Sequence, residues 1–263
     1  MSAYIAILKC RLATLFQYRA AALAGLCTQI FWGIIRMMIF IAFYKGASSK
    51  EPLSLEQALT FIWLGQALLQ LIPWNIDKEI EEQIHNGNVV YELIRPLDLY
   101  WLWYSRAMAM RLFPTLLRCI PLFILAGLFF QLSAPVSGPA LLAFIVSLGF
   151  AVLLSSAITT LVVISLFWTI SGEGIQRLLP HAAMLLSGLI VPLPLFPDWM
   201  QPLLSIQPFR CIIDIPSRLY TGIIPAHEAI YYLVLQLLWT LIIIYYGKKL
   251  MKRALRKLVI QGG

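Results

Sequence analysis

From Ala140 to Ile170 the chain carries no charged side chain, and this run is longer than the roughly 20 residues that a bilayer crossing needs. Such a segment has to satisfy its backbone groups internally once water is removed, which leaves a helix as its structure. It must tilt, bend or project, because it exceeds the apolar thickness. Further apolar runs cover Ala20–Tyr44, Glu56–Pro73, Leu112–Leu132, Leu178–Val191 and Ala229–Tyr246. The expectation is an all-α polytopic membrane protein with six transmembrane helices in a single domain over 1–263. Composition agrees, with 60% hydrophobic and 12% charged residues and a mean hydropathy of +0.82, where soluble chains carry about a quarter charged residues. No alternating strands of about ten residues occur, so a transmembrane barrel is not expected.

The longest polar stretch, 74–111, falls between the second and third runs. Ile76, Ile80 and Ile84 recur every fourth residue with Asp77, Glu79, Glu81 and Glu82 on the other faces, the pattern of a short amphipathic helix. Asn86-Gly87 breaks it, and Pro96 pushes Arg95 out of helical geometry. The aromatics Tyr100–Tyr104 suit the headgroup level. At the N-terminus, 1–19 sets Ile5, Leu8, Leu12, Leu15 and Phe16 against Lys9, Arg11 and Arg19, as in an interfacial helix. Met1–Arg19 has no short apolar core with a cleavage site, so no removable signal peptide is expected. Residues 192–227 hold Pro192, Pro194, Pro197, Pro202, Pro208, Pro216 and Pro225 between apolar pieces too short to cross. That pattern fits a re-entrant hairpin or a surface loop of amphipathic turns. Residues 248–263 begin as a basic tail.

Orientation follows from the basic residues near the span ends. Both termini and the polar stretch share one side with Lys9, Arg11, Arg19, Lys78, Arg95, Arg106, Arg111, Arg118, Arg177 and the tail. The other side keeps Lys45, Lys50, Arg210 and Arg218. The net charge of +8 therefore reflects topology and contact with membrane lipids, and calls for no nucleic acid. Of Cys10, Cys27, Cys119 and Cys211, only Cys211 is expected on the outer side, so no disulfide is expected.

Catalytic and ligating patterns are missing. No G-x-x-x-x-G-K-[ST] occurs to cradle phosphate, and His85, His181 and His227 are too scattered for a metal site. All twelve Asp and Glu fall in loops or at span ends, which leaves no mid-membrane acid for an ion-driven carrier. The remaining intramembrane charges are basic: Arg118, close enough to a span end to snorkel, and Arg36, well inside the first run, which suits an anionic substrate or a subunit interface. Ser155 and Thr159 are small polar residues fit for helix packing or a permeation lining, and Trp199 sits in the outer segment.

Gly87-x-Val89-x-Tyr91-x-Leu93-Ile94-Arg95-Pro96-Leu97, Pro192-Leu193-x-Leu195-Phe196-Pro197-x-Trp199 and Gln207-Pro208-Phe209, with the topology above, resemble the permease subunits of bacterial type-2 ATP-binding-cassette exporters, in a small branch carrying that Arg-Pro loop motif. The resemblance covers essentially the whole chain. It implies half of an ATP-driven exporter in the bacterial inner membrane, paired with a second permease as a homo- or heterodimer, and no enzyme activity of its own. It places ATP and Mg on a separate cytoplasmic ATPase, with no cofactor in this chain. It further implies a coupling helix at Ile76–Ile84, with Ile76, Ile80 and Ile84 as a docking or membrane-facing stripe. Glu79, Glu81 and Glu82 would meet the ATPase, Gly87 would turn the loop, and Arg95 would pin it to the spans. Arg36, Ser155, Thr159 and Trp199 are the candidates for substrate path or subunit interface. The alternatives are a membrane-embedded lipid-modifying enzyme built around Glu173, Arg177 and His181, and a secondary transporter.

Overall fold

A computed structural model describes residues 2–16, 19–46, 51–130, 132–169 and 173–256. The expected loop at 47–50, the turn at 170–172 and the tail from 257 onward lie outside the described residues. Among the described residues there are eleven α-helices and no strand: α1 (Ser2–Phe16), α2 (Arg19–Gly46), α3 (Leu55–Ala67), α4 (Lys78–His85), α5 (Val90–Leu93), α6 (Leu99–Phe129), α7 (Gly138–Ser165), α8 (Glu173–Leu186), α9 (Gln201–Ile206), α10 (Asp214–Tyr220) and α11 (Ala229–Arg256).

Four segments, Ala24–Gly46, Leu99–Phe129, Gly138–Ser165 and Ala226–Arg256, are long and apolar enough to cross a membrane unaided. The other two expected spans are shorter helices, α3 of 13 residues and α8 of 14. At about 1.5 Å per residue neither covers a core of about 30 Å. The sequence could not show this, because hydropathy registers apolar content and not where the helix stops.

α6 starts well before its expected boundary. Asp98 accepts a hydrogen bond from the Trp101 amide at 3.1 Å, and the cap carries the aromatic stretch straight into the span as one helix of 31 residues containing Pro114 and Pro121. α7 starts from a Ser137 cap on Ala140 and lies at the centre, packed by α6, α10 and α11. Its hydroxyls turn inward: Ser156, Thr159 and Thr160 each donate to the carbonyl four residues back. α11 continues to Arg256 as one helix, so the first part of the basic tail is an extension of the last span.

α3 opens with a capping box between Ser54 and Gln57. Its start is tied to the far end of α6, where Ser133 donates its hydroxyl to Glu56 at 2.6 Å and its amide to Thr60 at 3.2 Å. The chain continues past α3 through a 3-10 turn at Leu69–Leu71, until Arg111 of α6 binds the Ile72 carbonyl at 2.9 Å. α3 with its turn is therefore laid along α6 from Phe129 to Arg111, about 27 Å at 1.5 Å per residue.

α2 meets α3 at glycine. A Cβ on Gly33 would sit 2.5 Å from the Trp63 ring, which is buried and stacked on Phe130 at 4.8 Å between centroids. Replacing Gly33 with alanine is expected to lower stability by about 1–3 kcal/mol through overpacking. Thermal unfolding in detergent reads this as a lower midpoint, with Gly46→Ala, which faces open space, as the unaffected control.

Between α8 and α11 the prolines divide the chain into 3-10 turns and short helices. Gly188, at φ +82°, turns the chain out of α8 in a conformation that only glycine adopts without strain. Gln236 of α11 then donates to the Cys211 carbonyl at 2.7 Å and accepts from Ser147 at 3.0 Å, all three residues being buried. α10 returns to the level of Ser133, whose carbonyl accepts the Tyr220 hydroxyl at 2.9 Å. Cys211 is fully buried. One expectation is corrected here. Asp214, counted among peripheral acids, is completely enclosed and paired with Arg218 at 2.8 Å and Arg210 at 3.6 Å. The cause is the fold of 208–220, which packs Ile212, Ile213, Ile215 and Leu219 into the core beside α7 and encloses Asp214 with them, in a way that hydropathy does not reveal.

Candidate coupling surface and membrane cleft

The polar stretch folds back on the start of α6. α4 begins at an Asp77 cap that receives the Glu79 amide at 3.1 Å. Ile80 is buried against Val89, Leu99, Leu102 and Trp103, with Ile76 and Ile84 packed beside it. The isoleucine stripe therefore faces the protein's own core.

Arg106, only 4% exposed, joins the two layers. Its guanidinium donates to Asp77 and Glu79, each at 2.7 Å, and lies 3.5 Å from Glu92. Glu92 is itself buried and takes the Trp103 indole N–H at 2.8 Å. Glu79 also binds Arg11 of α1, the Tyr4 hydroxyl accepts the Asp98 amide at 2.9 Å, and Glu81 accepts from Gln176 of α8 at 2.8 Å. Lys248 of α11 lies 4.3 Å over the Trp101 ring. The first helix, the loop and the ends of α6, α8 and α11 thus meet at one end of the bundle.

Those contacts sort the loop residues into two faces. Ile76, Ile80, Ile84, Asp77, Glu79, Val89 and Glu92 are engaged inward, and Glu81 is held by α8. Glu82, His85, Asn86, Gly87, Asn88 and Arg95 are exposed, together with the apolar Tyr91, Leu93 and Ile94, the last 76% exposed. Gly87, at φ +71°, makes the turn between α4 and α5. Arg95 makes no side-chain hydrogen bond or ion pair among the described residues, and Arg106 is the cation that ties the loop to the spans. Sequence reading missed Arg106 because it counted only as one of many basic residues. An arginine just after an aromatic run, downstream of an acidic helix, was the available signal.

The Arg11 hydrogen bond, helped by Arg106 and opposed by partial burial, holds the Glu79 carboxyl below its usual range. A depressed native value means that the tether is fully present above the ordinary carboxylate range and is lost as pH falls through that depressed value. A spin label on the exposed Cys10 of α1 should therefore keep its mobility from neutral pH down to about 4 and gain mobility below. Glu79→Gln should be mobile already at pH 7.

Arg111 is buried farther along α6 and binds the carbonyls of Ile72 (2.9 Å) and Asn75 (2.6 Å) and the Thr159 hydroxyl (3.1 Å). Ser155 donates to the Leu71 carbonyl. Ser155 and Thr159 are thus consumed inside the subunit, holding α7 to the end of the α3 segment. Trp199, 78% exposed, lies on the short-helix segment between α8 and α11 and takes no part in either site.

Arg36 borders a cavity of about 360 Å³ lined by Thr28, Gln29, Trp32, Gln66, Leu69, Trp74 and Met184. Its guanidinium donates to the Leu189 carbonyl at 2.8 Å. Gln29 donates to the Gln66 carbonyl at 3.1 Å, and its amide oxygen has no partner among the described residues. The His181 ring sits 2.6 Å from the Arg177 carbonyl and edge-on to Trp74, and no cluster of three or more metal-ligating side chains occurs among the described residues.

Among the described residues, then, the chain is an all-helical membrane body with a folded acidic loop clamped to the second of its four long helices, and an arginine-headed cleft in its apolar layer. The sequence matches the family described as ABC-2 family transporter protein over residues 27–262, and the chain belongs to that family. It is accordingly the membrane permease of an ABC transporter. A search of curated proteins finds no match.

Proposed function

We propose that the chain forms half of an ATP-driven export pathway in a bacterial inner membrane, with both termini and the 74–111 loop in the cytoplasm. A separate ATPase subunit, which binds ATP and Mg, docks on the loop, and a second permease completes the pathway as a homo- or heterodimer. The observation that carries this reading is the two-faced loop: its inner face is bolted to α6 through Arg106, while Tyr91, Leu93 and Ile94 leave an apolar outer face flanked by Glu82 and Arg95. A push on that face reaches α6 directly, because Asp77, Glu79 and Glu92 share the same guanidinium. ATP binding to the partner would then shift the balance between inward and outward states.

Six crossings are part of this proposal. The α3 segment lies along about 27 Å of α6, close to a full core thickness, which supports a crossing despite its short regular helix. α8 reaches inward from the loop end and is continued by the proline-divided segment, whose dip to Gln236 and return to Ser133 support a re-entrant hairpin.

The test is co-purification with an ATPase encoded beside this chain. Ile94→Asp and Tyr91→Asp are expected to abolish association while leaving the permease folded, and Glu82→Lys to weaken it. Retention of the ATPase by both aspartate variants would overturn this docking face.

A further inference from the structure

We propose that the cavity beneath Arg36 receives the negatively charged headgroup of an amphiphile, which Arg36 binds within the apolar layer. As a cargo site it rests on the transport reading above; as a binding site it does not.

Arg36 lies near the middle of the apolar segment Ala24–Gly46. An arginine at that depth needs an anion or a wet cavity, because bare positive charge is strongly disfavoured in hydrocarbon. Among the described residues no carboxylate pairs with it, and its one hydrogen bond goes to the neutral Leu189 carbonyl. Among the described residues the charge is therefore uncompensated, while the side chain borders a cavity large enough for a headgroup. A second copy of this chain has no acid to offer at that level. Every carboxylate except Asp214 lies outside the apolar runs or at their ends, and Asp214 is enclosed by Arg210 and Arg218.

The rest of the lining fits an amphiphile. Trp32 and Trp74 supply broad apolar walls with polar edges, and Gln29 and Gln66 bring amides to the cavity. The cavity extends from Arg36, in mid-span, to Trp74, where the polar loop begins, so it descends toward the loop end of the bundle. A headgroup would pair with the guanidinium through charge-assisted hydrogen bonds, and its tail would run along the exposed faces of Phe31 and Ile39 on α2. The shared chemistry is a phosphate or carboxylate on a hydrocarbon chain, whether a bilayer lipid or a single-chain amphiphile.

The test is equilibrium binding of dodecyl phosphate to the purified full-length chain in neutral detergent. The wild type should bind it saturably. Arg36→Gln should weaken binding at least tenfold, Arg36→Lys should restore most of it, and Leu69→Trp, which fills the cavity without altering charge, should abolish it. Thermal unfolding without ligand checks that each variant is folded. Lys252→Gln, an exposed cation far from the cavity, should bind as the wild type does. Equal affinity in wild type and Arg36→Gln, or an equal loss in Lys252→Gln, would overturn the proposal. In nanodiscs, competition by phosphatidylglycerol assigns the site to a bilayer lipid, and lack of competition assigns it to a single-chain amphiphile. Because no ATPase is present, failure of the wild-type chain to co-purify with the ATPase overturns the transport reading and leaves this site standing, and failure of the wild-type chain to bind dodecyl phosphate does the reverse.

Discussion

Replacing Arg106 with glutamine is expected to destabilise the folded chain by about 3–5 kcal/mol, the cost of removing one partner from a buried ionic cluster. The side chain is 5% exposed, and the change strands Asp77 and Glu92, which are 14% and 4% exposed, without their cation. Glu79, with half its surface in solvent and Arg11 beside it, loses less. Lysine cannot rescue the arrangement, because a single ammonium lacks the planar fork that meets several carboxylates at once. The measurement is thermal unfolding in detergent together with proteolysis of the 74–98 segment. A lower midpoint and early cleavage in the loop are expected for Arg106→Gln, with Arg106→Lys closer to glutamine than to wild type. An unchanged midpoint and an intact loop would show that Arg106 does not hold the loop to α6.

Asp214→Asn should have an effect of similar size at the other end of the bundle. Its carboxylate is wholly buried and faces Arg210 and Arg218, so the amide leaves the buried Arg210 and the partly buried Arg218 sharing no negative charge, again about 3–5 kcal/mol. Arg210 keeps the Ser205 carbonyl at 3.0 Å, but that neutral acceptor does not offset the charge. Arg218→Gln should cost clearly less, since Arg218 is 17% exposed and Asp214 retains Arg210. Thermal midpoints of the two variants order them. A milder effect for Asp214→Asn than for Arg218→Gln would contradict a shared-anion role for Asp214.

The long helices were legible because α2, α6, α7 and α11 are sustained apolar runs, and hydropathy answers directly to that property. The amphipathic helix after Trp74 was legible too, since Ile76, Ile80 and Ile84 mark one face and Asp77, Glu79, Glu81 and Glu82 fill the others. Where α6 begins was not, because the aromatics Tyr100–Tyr104 suit a headgroup belt and a packed helix equally well. Periodicity showed that the isoleucine stripe exists but not which way it points, since a membrane, a partner and the protein's own core all accept an apolar face. The pairings of Arg106, Arg111 and Asp214 connect residues far apart in sequence, and no local pattern encodes them. Ser155 and Thr159 show the same limit: their type fits a pore or a helix seam, and their hydrogen bonds to the Leu71 carbonyl and the Arg111 guanidinium are contacts that no local pattern encodes. Arg36 stood out in the sequence because a charge inside an apolar run conflicts with its surroundings, and such conflicts are visible without a fold.

The most direct test of force entering through this loop is labelling of Asn88→Cys, in a chain whose Cys10, Cys27, Cys119 and Cys211 are replaced by serine or alanine, with a membrane-impermeant maleimide. Asn88 is exposed at the turn between α4 and α5. The account predicts labelling in inside-out vesicles and not in intact cells, and protection in the vesicles when the ATPase is co-expressed. Labelling from the outside of intact cells, or labelling that the ATPase leaves unchanged, would contradict it.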